Sequence, residues 1–453
     1  MACVVVRRWV QQSVGTACLR RAWYYTQLHD CEAKVISSSS KQVASTENVA
    51  ESPLNTTTIK ISLSAIERRI VAALAGIYAT RMLGLFLLLP VLSIYAAQLP
   101  DASPGLIGVA MGAYGLTQAA FQIPFGRWSD RYGRRPLIAI GLLMFLLGSI
   151  VGALAESLWM IVLARSLQGA GAMSAAVTAL LADFTREEVR TRAMAFIGIS
   201  IGASFVISLI TAPLLEAMIG VPGIFWVMAV LAILGLMLLK FAVPGHGEAV
   251  IDPAALRIPT LRVALLPELR AYFAGVFGLH FILTATFLSV PLVLLHELGI
   301  AEGEHWKIYL GVFLASFLGT VPLILASERT AQPQRVVVTG VLVAACAQAV
   351  MAVWFVRSWY VFAAFTVFFA VFNFLEARLP AGLSRVAPAA DRGAAMGVFA
   401  TCQFLGAAAG GMLGGQLLAG FGVAGVFWGS AVVALAWAVV TALAPESHAA
   451  TKP

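Results

Sequence analysis

The chain has 453 residues, of which 60% are hydrophobic and only 11% are charged, and its mean hydropathy is +0.89. Because about a quarter of the residues in soluble domains are charged, this composition excludes an ordinary soluble protein and predicts a polytopic membrane protein. The net charge of +8 does not indicate nucleic-acid binding, since the basic residues lie mostly in short loops between apolar runs. The five cysteines have no metal-ligand or disulfide spacing, so no metal site is expected.

Residues 1–70 differ in composition from the rest of the chain. They contain four arginines before the first acidic residue, Asp30, and a run of serines at 37–40. Such a composition is typical of an organellar presequence, but the segment has no clear amphipathic stripe. We therefore expect residues 1–70 to be a disordered tail, with organellar targeting as the alternative.

After the tail, twelve apolar runs follow one another at short intervals. Most of them reach the roughly 20 residues that a helix needs to cross the hydrocarbon core of a bilayer. The predicted fold is therefore an all-α membrane protein with twelve transmembrane helices. The runs cover about 71–95, 104–126, 136–154, 158–181, 192–218, 222–243, 271–295, 306–326, 335–356, 359–382, 393–419 and 423–444.

The distribution of Lys and Arg orients these helices. If the loop between the second and third runs is cytoplasmic, nearly all basic loop residues lie on the cytoplasmic side, and only Lys307 and Arg357 lie opposite. Basic loops favour the cytoplasm. We therefore expect both termini to be cytoplasmic, in a multi-pass protein of the plasma or inner membrane.

The two halves of the chain resemble each other at a constant offset of 202 residues (422 minus 220). Segment 220–226 (GVPGIFW) recurs as 422–428 (GVAGVFW), and a proline-rich connection separates the halves. Parallel repeats of this kind place a substrate site between them, near the bilayer midplane. The predicted parts are a tail (1–70), two pseudo-symmetric six-helix bundles (71–243 and 271–445), a cytoplasmic linker (244–270) and a short C-terminal tail (446–453).

The loop at 126–136 (GRWSDRYGRRP) is the most distinctive short segment. It holds four arginines and a single acid, Asp130, between two membrane helices. Gly126 and Gly133 allow sharp turns of the backbone. Asp130 stands where a neighbouring helix N-terminus or an arginine could hold it.

Four of the ionisable residues inside the apolar runs are candidates for a functional role: Arg81, Arg165, His280 and Glu376. An arginine there costs about 2.5–3.5 kcal/mol or more on insertion, so both arginines should face the bundle and have partners. Burial of Glu376 in a low-dielectric environment would suit proton uptake and release, and His280 could titrate near neutral pH. The alternatives are a structural pair of Glu376 with Arg378 or Arg81, and packing alone for His280.

Polar side chains also form a stripe on the second helix. Tyr114, Gln118 and Gln122 lie four residues apart and therefore share one helix face. We expect them to line a substrate cavity together with Asn373, which shares a face with Glu376, and Gln403. Interhelical hydrogen bonding is the alternative for each glutamine.

These motifs resemble those of the major facilitator superfamily over roughly residues 65–445. Loop 126–136 matches its G-x-x-x-D-R-x-G-R-[RK] signature, and segment 165–171 (RSLQGAG) matches its R-x-x-Q-G-x-G motif. The segments most similar to the YajR-type group of proton-coupled efflux transporters are 81–84, 114–118, 121–126, 304–307 and 372–376. Members of that group carry a small soluble domain after the last helix, which we do not expect in a chain that stops at Pro453.

The resemblance implies a conformational latch built on the motif that begins at Gly126. The aspartate matching Asp130 would face the N-terminus of the eleventh helix, near Gly393, and Arg131 and Arg134 would join a charge network with Asp183. Arg165 would take part in proton coupling. A solvated loop that only determines topology is the alternative.

The resemblance further implies a monomeric secondary transporter that works by alternating access and uses a proton gradient instead of a bound cofactor. The expected activity is antiport, with export of small apolar or cationic compounds. Segment 211–217 keeps Pro213 but lacks the glycines of the family's G-P-x-x-G-G antiporter signature, which leaves the direction open. The alternatives are symport of a sugar, organic acid or peptide, and a receptor of the same fold; neither ATP drive nor an enzyme is expected.

Overall fold

The structure is a computed structural model that describes residues 63–244, 260–330, 332–388 and 391–444. Most of the predicted tail and linker, and the predicted segment 446–453, lie outside the described residues. The first helix begins at Ala65, earlier than predicted. Ser64 and Glu67 form a capping box there, with Ser64 Oγ accepting from the Glu67 backbone N–H and Glu67 Oε2 accepting from the Ser64 backbone N–H.

All regular structure in the described part of the chain is helical, as the composition predicted. A π-helical turn, Val293–Glu297, and a 3₁₀ turn, Glu302–Glu304, lie between two of the helices. The helices are α1 (Ala65–Leu87), α2 (Leu92–Ala97), α3 (Pro104–Tyr132), α4 (Arg134–Ala153), α5 (Leu158–Ala170), α6 (Ser174–Phe184), α7 (Glu187–Ala242), α8 (Thr260–Ala264), α9 (Pro267–Leu292), α10 (His305–Arg329), α11 (Pro333–Trp354), α12 (Ser358–Val386) and α13 (Arg392–Leu443).

Ten helical stretches of the described chain are long and apolar enough to cross a membrane. Two of them, α7 with 56 residues and α13 with 52, each contain two of the runs predicted from the sequence. Each is interrupted by one glycine with a positive φ, namely Gly220 (67°) and Gly422 (64°). A backbone conformation of this kind favours glycine, which explains why the repeated segments 220–226 and 422–428 both begin with it.

Helix α7 doubles back at Gly220. At its start, Arg186 Nε donates to Glu67 Oε1 at 3.0 Å, and at its end the Phe241 carbonyl accepts from Arg69 Nη2 at 2.8 Å. A straight helix of this length would be about 80 Å long, whereas both ends of α7 bind the first turn of α1. Helix α7 is therefore an antiparallel pair of segments.

Helix α13 doubles back in the same way at Gly422. Leu417 precedes the bend and Gly429 follows it, yet a Cβ at Gly429 would lie 3.7 Å from Leu417 Cγ. Each half of the chain thus contains one helical hairpin at the same position of the repeat. The sequence similarity at 220–226 and 422–428 corresponds to a repeat of backbone conformation.

Small residues bring α3 and α13 into close contact along a line that we call the seam. A Cβ at Gly108 would lie 2.6 Å from Gly415 Cα, and a Cβ at Gly115 would lie 2.7 Å from the Phe404 carbonyl oxygen. Between them, Gly112 faces the Ala408 carbonyl and Gly411. Because glycine has no side-chain carbon, the two backbones can approach each other closely along the seam, as in other membrane helix pairs.

Candidate transport site

The two halves of the chain contact each other most closely at one end of the molecule. We call the end that carries Glu67, Arg134, Asp183 and Arg186 the charged end. At the opposite end the seam brings Gly108 against Gly415, and a Cβ at Gly303 would lie 3.3 Å from Ala217 Cβ. Toward the charged end, no atom of another described element lies within 4 Å of the position that a Cβ would take at Gly393 or Gly397 of α13. The seam therefore ends before the charged end.

The charged loop after α3 forms part of the predicted charge network. Gly133, with a φ of 94°, turns the chain directly from α3 into α4. Arg134 forms an ion pair with Asp183 and donates to the Ala179 carbonyl, and its Nη2 lies 4.0 Å from Asp130 Oδ1. The structure thus brings Arg134 and Asp183 together, as the resemblance implied, and it also places Asp130 beside Arg134.

Two residues of the loop motif lie outside this network. The guanidinium of Arg131 lies 5.3 Å from the ring centroid of Tyr132 and, within the described ranges, makes no ion pair. Gly126 has room for a side chain, because among the described residues a Cβ there would meet only Ala175 Cβ, at 3.7 Å. Asp130 makes no hydrogen bond to the first turns of α13 in the described chain, so the contact implied near Gly393 is not formed in this conformation.

Arg81 is buried at the centre of a polar network in the first half. Its side chain donates from Nη1 to Ser174 Oγ at 3.4 Å, from Nη2 to the Tyr114 hydroxyl at 3.0 Å, and also to Gln118 Oε1. Gln118 Nε2 in turn donates to Gln122 Oε1 at 2.8 Å. The stripe predicted on the second helix is therefore a connected chain of hydrogen bonds that ends on an arginine.

Arg165 also contacts Tyr114. Its guanidinium carbon is 4.8 Å from the Tyr114 ring centroid, and its Nη1 donates to Gln168 Oε1 at 2.9 Å. Gln168 Nε2 donates to Ser149 Oγ at 3.0 Å, which ties the arginine to α4. The expectation that both membrane arginines face the bundle and have partners is confirmed, and they share Tyr114.

The stripe on α3 is not open to a cavity in this conformation. Tyr114, Gln118 and Gln122 are 2%, 0% and 5% exposed, and the two glutamines are hydrogen-bonded within the first half. The contact of Gln118 with Arg81 corresponds to the alternative of interhelical hydrogen bonding, whereas the Gln122 hydrogen bond lies within α3. The Tyr114 ring nevertheless reaches the seam, where its centroid lies 6.4 Å from that of Phe404.

A second polar cluster lies in the other half and contains His280, Glu376 and Gln403. His280 Nδ1 is 3.1 Å from the Val276 carbonyl, and its Nε2 is 2.8 Å from Gln403 Nε2 and 3.7 Å from Glu376 Oε2. These residues come from α9, α13 and α12, so one imidazole connects three helices. The partner of Glu376 is thus His280, and neither Arg378 nor Arg81, the two structural partners considered from the sequence.

Two details of this cluster differ from expectation. The Glu376 side chain is 43% exposed rather than buried, while His280 is the buried partner. Asn373 does not join Glu376, because its Nδ2 donates to Ser316 Oγ of α10 at 3.1 Å. Asn373 therefore connects two helices here, although it lies only three residues before Glu376.

An aromatic layer that the sequence did not reveal contacts this cluster through His280. Phe205 of α7 belongs to the first half, yet its ring centroid lies 6.1–6.5 Å from four phenylalanines of the second half. One of the four, Phe372, also makes an edge contact with the His280 ring at 6.1 Å. The phenylalanines around Phe205 are Phe287, Phe313, Phe369 and Phe372. Since Phe205 lies in an ordinary apolar run, its sequence context carries no signal of this role.

Comparison with protein families agrees with this architecture. The family model described as Major Facilitator Superfamily matches residues 74–329 and 272–453. The chain belongs to this superfamily. The resemblance inferred from the two motifs is therefore confirmed, and the chain is a multi-span integral membrane protein of a transporter family.

Individual relatives extend this result. The chain is 42% identical over 382 residues to the Escherichia coli protein named inner membrane transport protein YajR, covering 84% of each chain. It is 34% identical over 141 residues to the class D tetracycline resistance protein of Salmonella ordonez, covering 30% of this chain and 35% of the relative. The crystal structure of a D-xylose-proton symporter has the same fold, with a TM-score of 0.69 at 17% identity, covering 85% of this chain and 99% of that one.

Proposed function

We propose that the chain is a proton-coupled antiporter that exports small compounds with a large apolar part by alternating access. In this proposal the hairpins α7 and α13 cross the membrane twice each, which makes twelve crossings and places both termini on one side. That side is the cytoplasm, since the basic loops are concentrated at the charged end. The membrane is the inner or plasma membrane, where the E. coli relative is named as a transport protein.

The cluster of His280, Glu376 and Gln403 is the observation that carries proton coupling. Because Nδ1 lies at the Val276 carbonyl, it holds the ring proton of the neutral imidazole, and Nε2 accepts from Gln403. When a proton binds Nε2, that atom becomes a donor and can no longer accept from Gln403. The cationic ring is then attracted to Glu376, 3.7 Å away.

Protonation of His280 would therefore exchange one helix partner for another. Gln403 belongs to α13, which forms the seam with the first half, whereas Glu376 belongs to α12. A proton that releases Gln403 loosens a contact on the helix against which the first half moves. This exchange links a proton to the relative position of the halves, which is what coupled transport requires.

The contacts at the two ends support a conformation open toward the cytoplasm. The seam and the Phe205 layer close the side of the proton site away from the charged end, while Gly393 and Asp130 remain apart. In the outward-facing state the first turn of α13 would approach Asp130, and its backbone N–H groups would attract the carboxylate. The loop motif would then act as a latch that holds the charged end closed.

Export is favoured over import by the relatives of this chain. Part of it is similar to a protein named for tetracycline resistance, and removal of a toxic compound is a direct way to confer resistance. The incomplete G-P-x-x-G-G signature at 211–217 does not decide the direction. The apolar character proposed for the substrate rests on the phenylalanine layer beside Glu376 and His280. We propose no bound cofactor and no enzymatic activity, since transport needs only the proton gradient.

The His280→Gln variant tests the proton site. We expect the dependence of the transport rate on pH to flatten, because a glutamine side chain has no ring nitrogen that can bind a proton. The measurement is uptake of a lipophilic dye into proteoliposomes at a series of pH values with a fixed proton gradient. His296→Gln, at the end of the π-helical turn, is the matched control and should keep the wild-type profile. An unchanged profile in His280→Gln would remove this histidine from the coupling step.

The Asp130→Asn variant tests the latch. Attraction between an anion and a helix N-terminus contributes about 0.3–2 kcal/mol, so its loss should slow transport several-fold while the protein still inserts and folds. Glu187→Gln, an exposed acid at the same charged end, is the control and should transport like the wild type. If Asp130→Asn transports at the wild-type rate, the loop only determines topology.

A further inference from the structure

We propose that the transported compound carries an anionic group, a carboxylate or a sulfonate, and that Arg81 and Arg165 bind this group. The inference rests on the proposed function and names the substrate class of the same transport path. It departs from the cationic substrates considered from the sequence. Three observations carry it: the charge of the partners, the unused donors and the position of Tyr114.

The first observation is that both guanidinium groups are buried among neutral partners. Arg81 is 2% exposed and Arg165 is 3% exposed. Across the described residues, neither forms an ion pair with a carboxylate. Their hydrogen-bond partners are the side chains of Ser174, Tyr114 and Gln118 for Arg81, and of Gln168 for Arg165. Two positive charges are therefore held inside the first half without a negative charge beside them.

The second observation concerns hydrogen-bond donors. The Nε atoms of Arg81 and Arg165 are both buried, and neither has an acceptor among the described residues. A guanidinium has five N–H donors in a planar fork, and the pair of Nε and a terminal nitrogen matches the two oxygens of a carboxylate. The same groups that lack a counter-charge thus also retain the donors with which arginine binds an anion.

The third observation is the position of the two arginines relative to the proton site. Both contact Tyr114, whose ring meets Phe404 at the seam. Phe404 follows Gln403, the partner of His280. A ligand bound at Tyr114 would therefore lie between the halves and beside the group proposed to carry the proton.

The distribution of charge along the path favours an anion over a cation. Glu376 lies far from either end of its helix and already has His280 as a partner. Glu216 of α7 lies only four residues before the bend at Gly220. A cationic compound at Tyr114 would meet two guanidinium groups at short range, which repel it. An anionic compound would neutralise them, and its binding would be strengthened by the low dielectric around the two side chains.

The two halves would also respond to such a ligand. Tyr114, Gln118 and Arg81 are fully enclosed in the conformation that is open at the charged end, so the anion must displace neutral partners to reach the guanidinium groups. Release of Gln118 from Arg81 would free the stripe on α3, the helix that forms the seam. Substrate binding and proton binding would then both weaken the seam between α3 and α13. The substrate would act through Tyr114 of α3, and the proton would act through Gln403 of α13.

The test uses the purified full chain in detergent micelles and three probes with one skeleton and different charge. Phenylpropanesulfonate is permanently anionic, phenylpropanol is neutral, and phenylpropyl-trimethylammonium is permanently cationic. Binding is measured as the saturable shift of the thermal unfolding midpoint, followed by tryptophan fluorescence. We expect the sulfonate to raise the midpoint and the other two probes to leave it unchanged.

Substitution of the two arginines makes the test specific. Arg81→Gln and Arg165→Gln should each weaken sulfonate binding by about 10- to 100-fold, the range expected when a hydrogen bond to a charged group is lost. Arg357→Gln, an exposed arginine before α12, is the matched control and should bind like the wild type. The ligand-free glutamine variants should each show a single cooperative unfolding transition, and the effect of the sulfonate is measured relative to the midpoint of that same variant. That result separates loss of binding from loss of folding.

Defined outcomes overturn the proposal. They are a wild-type protein that the ammonium or the alcohol stabilises as much as the sulfonate, a sulfonate effect that persists in both glutamine variants, and no sulfonate effect at all. The assay contains no membrane and no proton gradient, so it is independent of coupling. Sulfonate binding without proton movement would retain the anion site and refute the proposed antiport. Proton-coupled transport of the ammonium compound alone would retain the proposed antiport and refute the anion site.

Discussion

The Glu376→Gln variant should lose substrate-driven proton movement by about 100-fold or more, the scale on which removal of a positioned proton-transfer group acts. Glutamine has nearly the same shape as glutamate, but it neither carries charge nor binds a proton near neutral pH. Its side chain could not attract the protonated ring of His280, whose Nε2 lies 3.7 Å from the carboxylate. The measurement is the fluorescence of a pH-sensitive dye enclosed in proteoliposomes when a lipophilic substrate is added.

The control for this prediction is Glu328→Gln, an exposed acid in the last turn of α10. It changes the same chemical group at a helix end and should retain the wild-type proton signal. Binding of substrate in detergent should survive in Glu376→Gln, which distinguishes lost coupling from a misfolded protein. Wild-type proton movement in Glu376→Gln would show that the coupling group lies elsewhere.

The Gly112→Leu variant should hold the transporter in the conformation in which α3 and α13 are separated at the seam. A side chain at this position would collide with the Ala408 carbonyl, and even its Cβ would come to 3.0 Å from Met412 Cγ. Overpacking costs about 1–3 kcal/mol, which corresponds to about 5- to 150-fold in the population of the closed seam. Because alternating access requires the seam to close once in each cycle, transport should fall by a similar factor.

The state of the seam can be measured independently of transport. An Ala217→Cys substitution places a thiol next to Gly303, at the end where the halves meet, and a membrane-impermeant maleimide reports its accessibility. Labelling should be faster in the Gly112→Leu background than with glycine at 112. Gly202→Leu is the control, because within the described part of the chain no atom outside its own helical turn lies within 4 Å of its Cβ position. Equal labelling and equal transport in all three backgrounds would contradict a moving seam.

Local sequence signals predicted the elements of the fold well, because helix-forming runs and turns depend on neighbouring residues. The constant offset between 220–226 and 422–428 identified two positions that share a bend. The start of α1 was missed although its signal is also local: Ser64 and Glu67 have the spacing of a capping box. The first turn of α1 is polar, so the apolar run begins only after it and hydropathy alone places the start of the helix too late.

Most features of the site that could not be predicted from the sequence depend on contacts between segments that are distant in the chain. Glu376 could have been paired with Arg378 or Arg81 from the sequence, but the packing of α9 against α12 selected His280. The same packing turned Asn373 toward Ser316 and brought Phe205 to the phenylalanines of the other half. The motif at 165–171 did contain Gln168, which holds Arg165. That partner was accessible from spacing alone, since it lies one helical turn further along.

Proton movement in inside-out membrane vesicles with an imposed acidic interior tests the central claim most directly. Compounds that share an apolar body and differ in charge are added one at a time, and the gradient is followed with a pH-sensitive dye. We predict that at least one compound dissipates the gradient in wild-type vesicles and that none does so in Glu376→Gln vesicles. If compounds accumulate in vesicles while the gradient stays unchanged, or if the Glu376→Gln vesicles respond like the wild type, proton-coupled export through this site is contradicted.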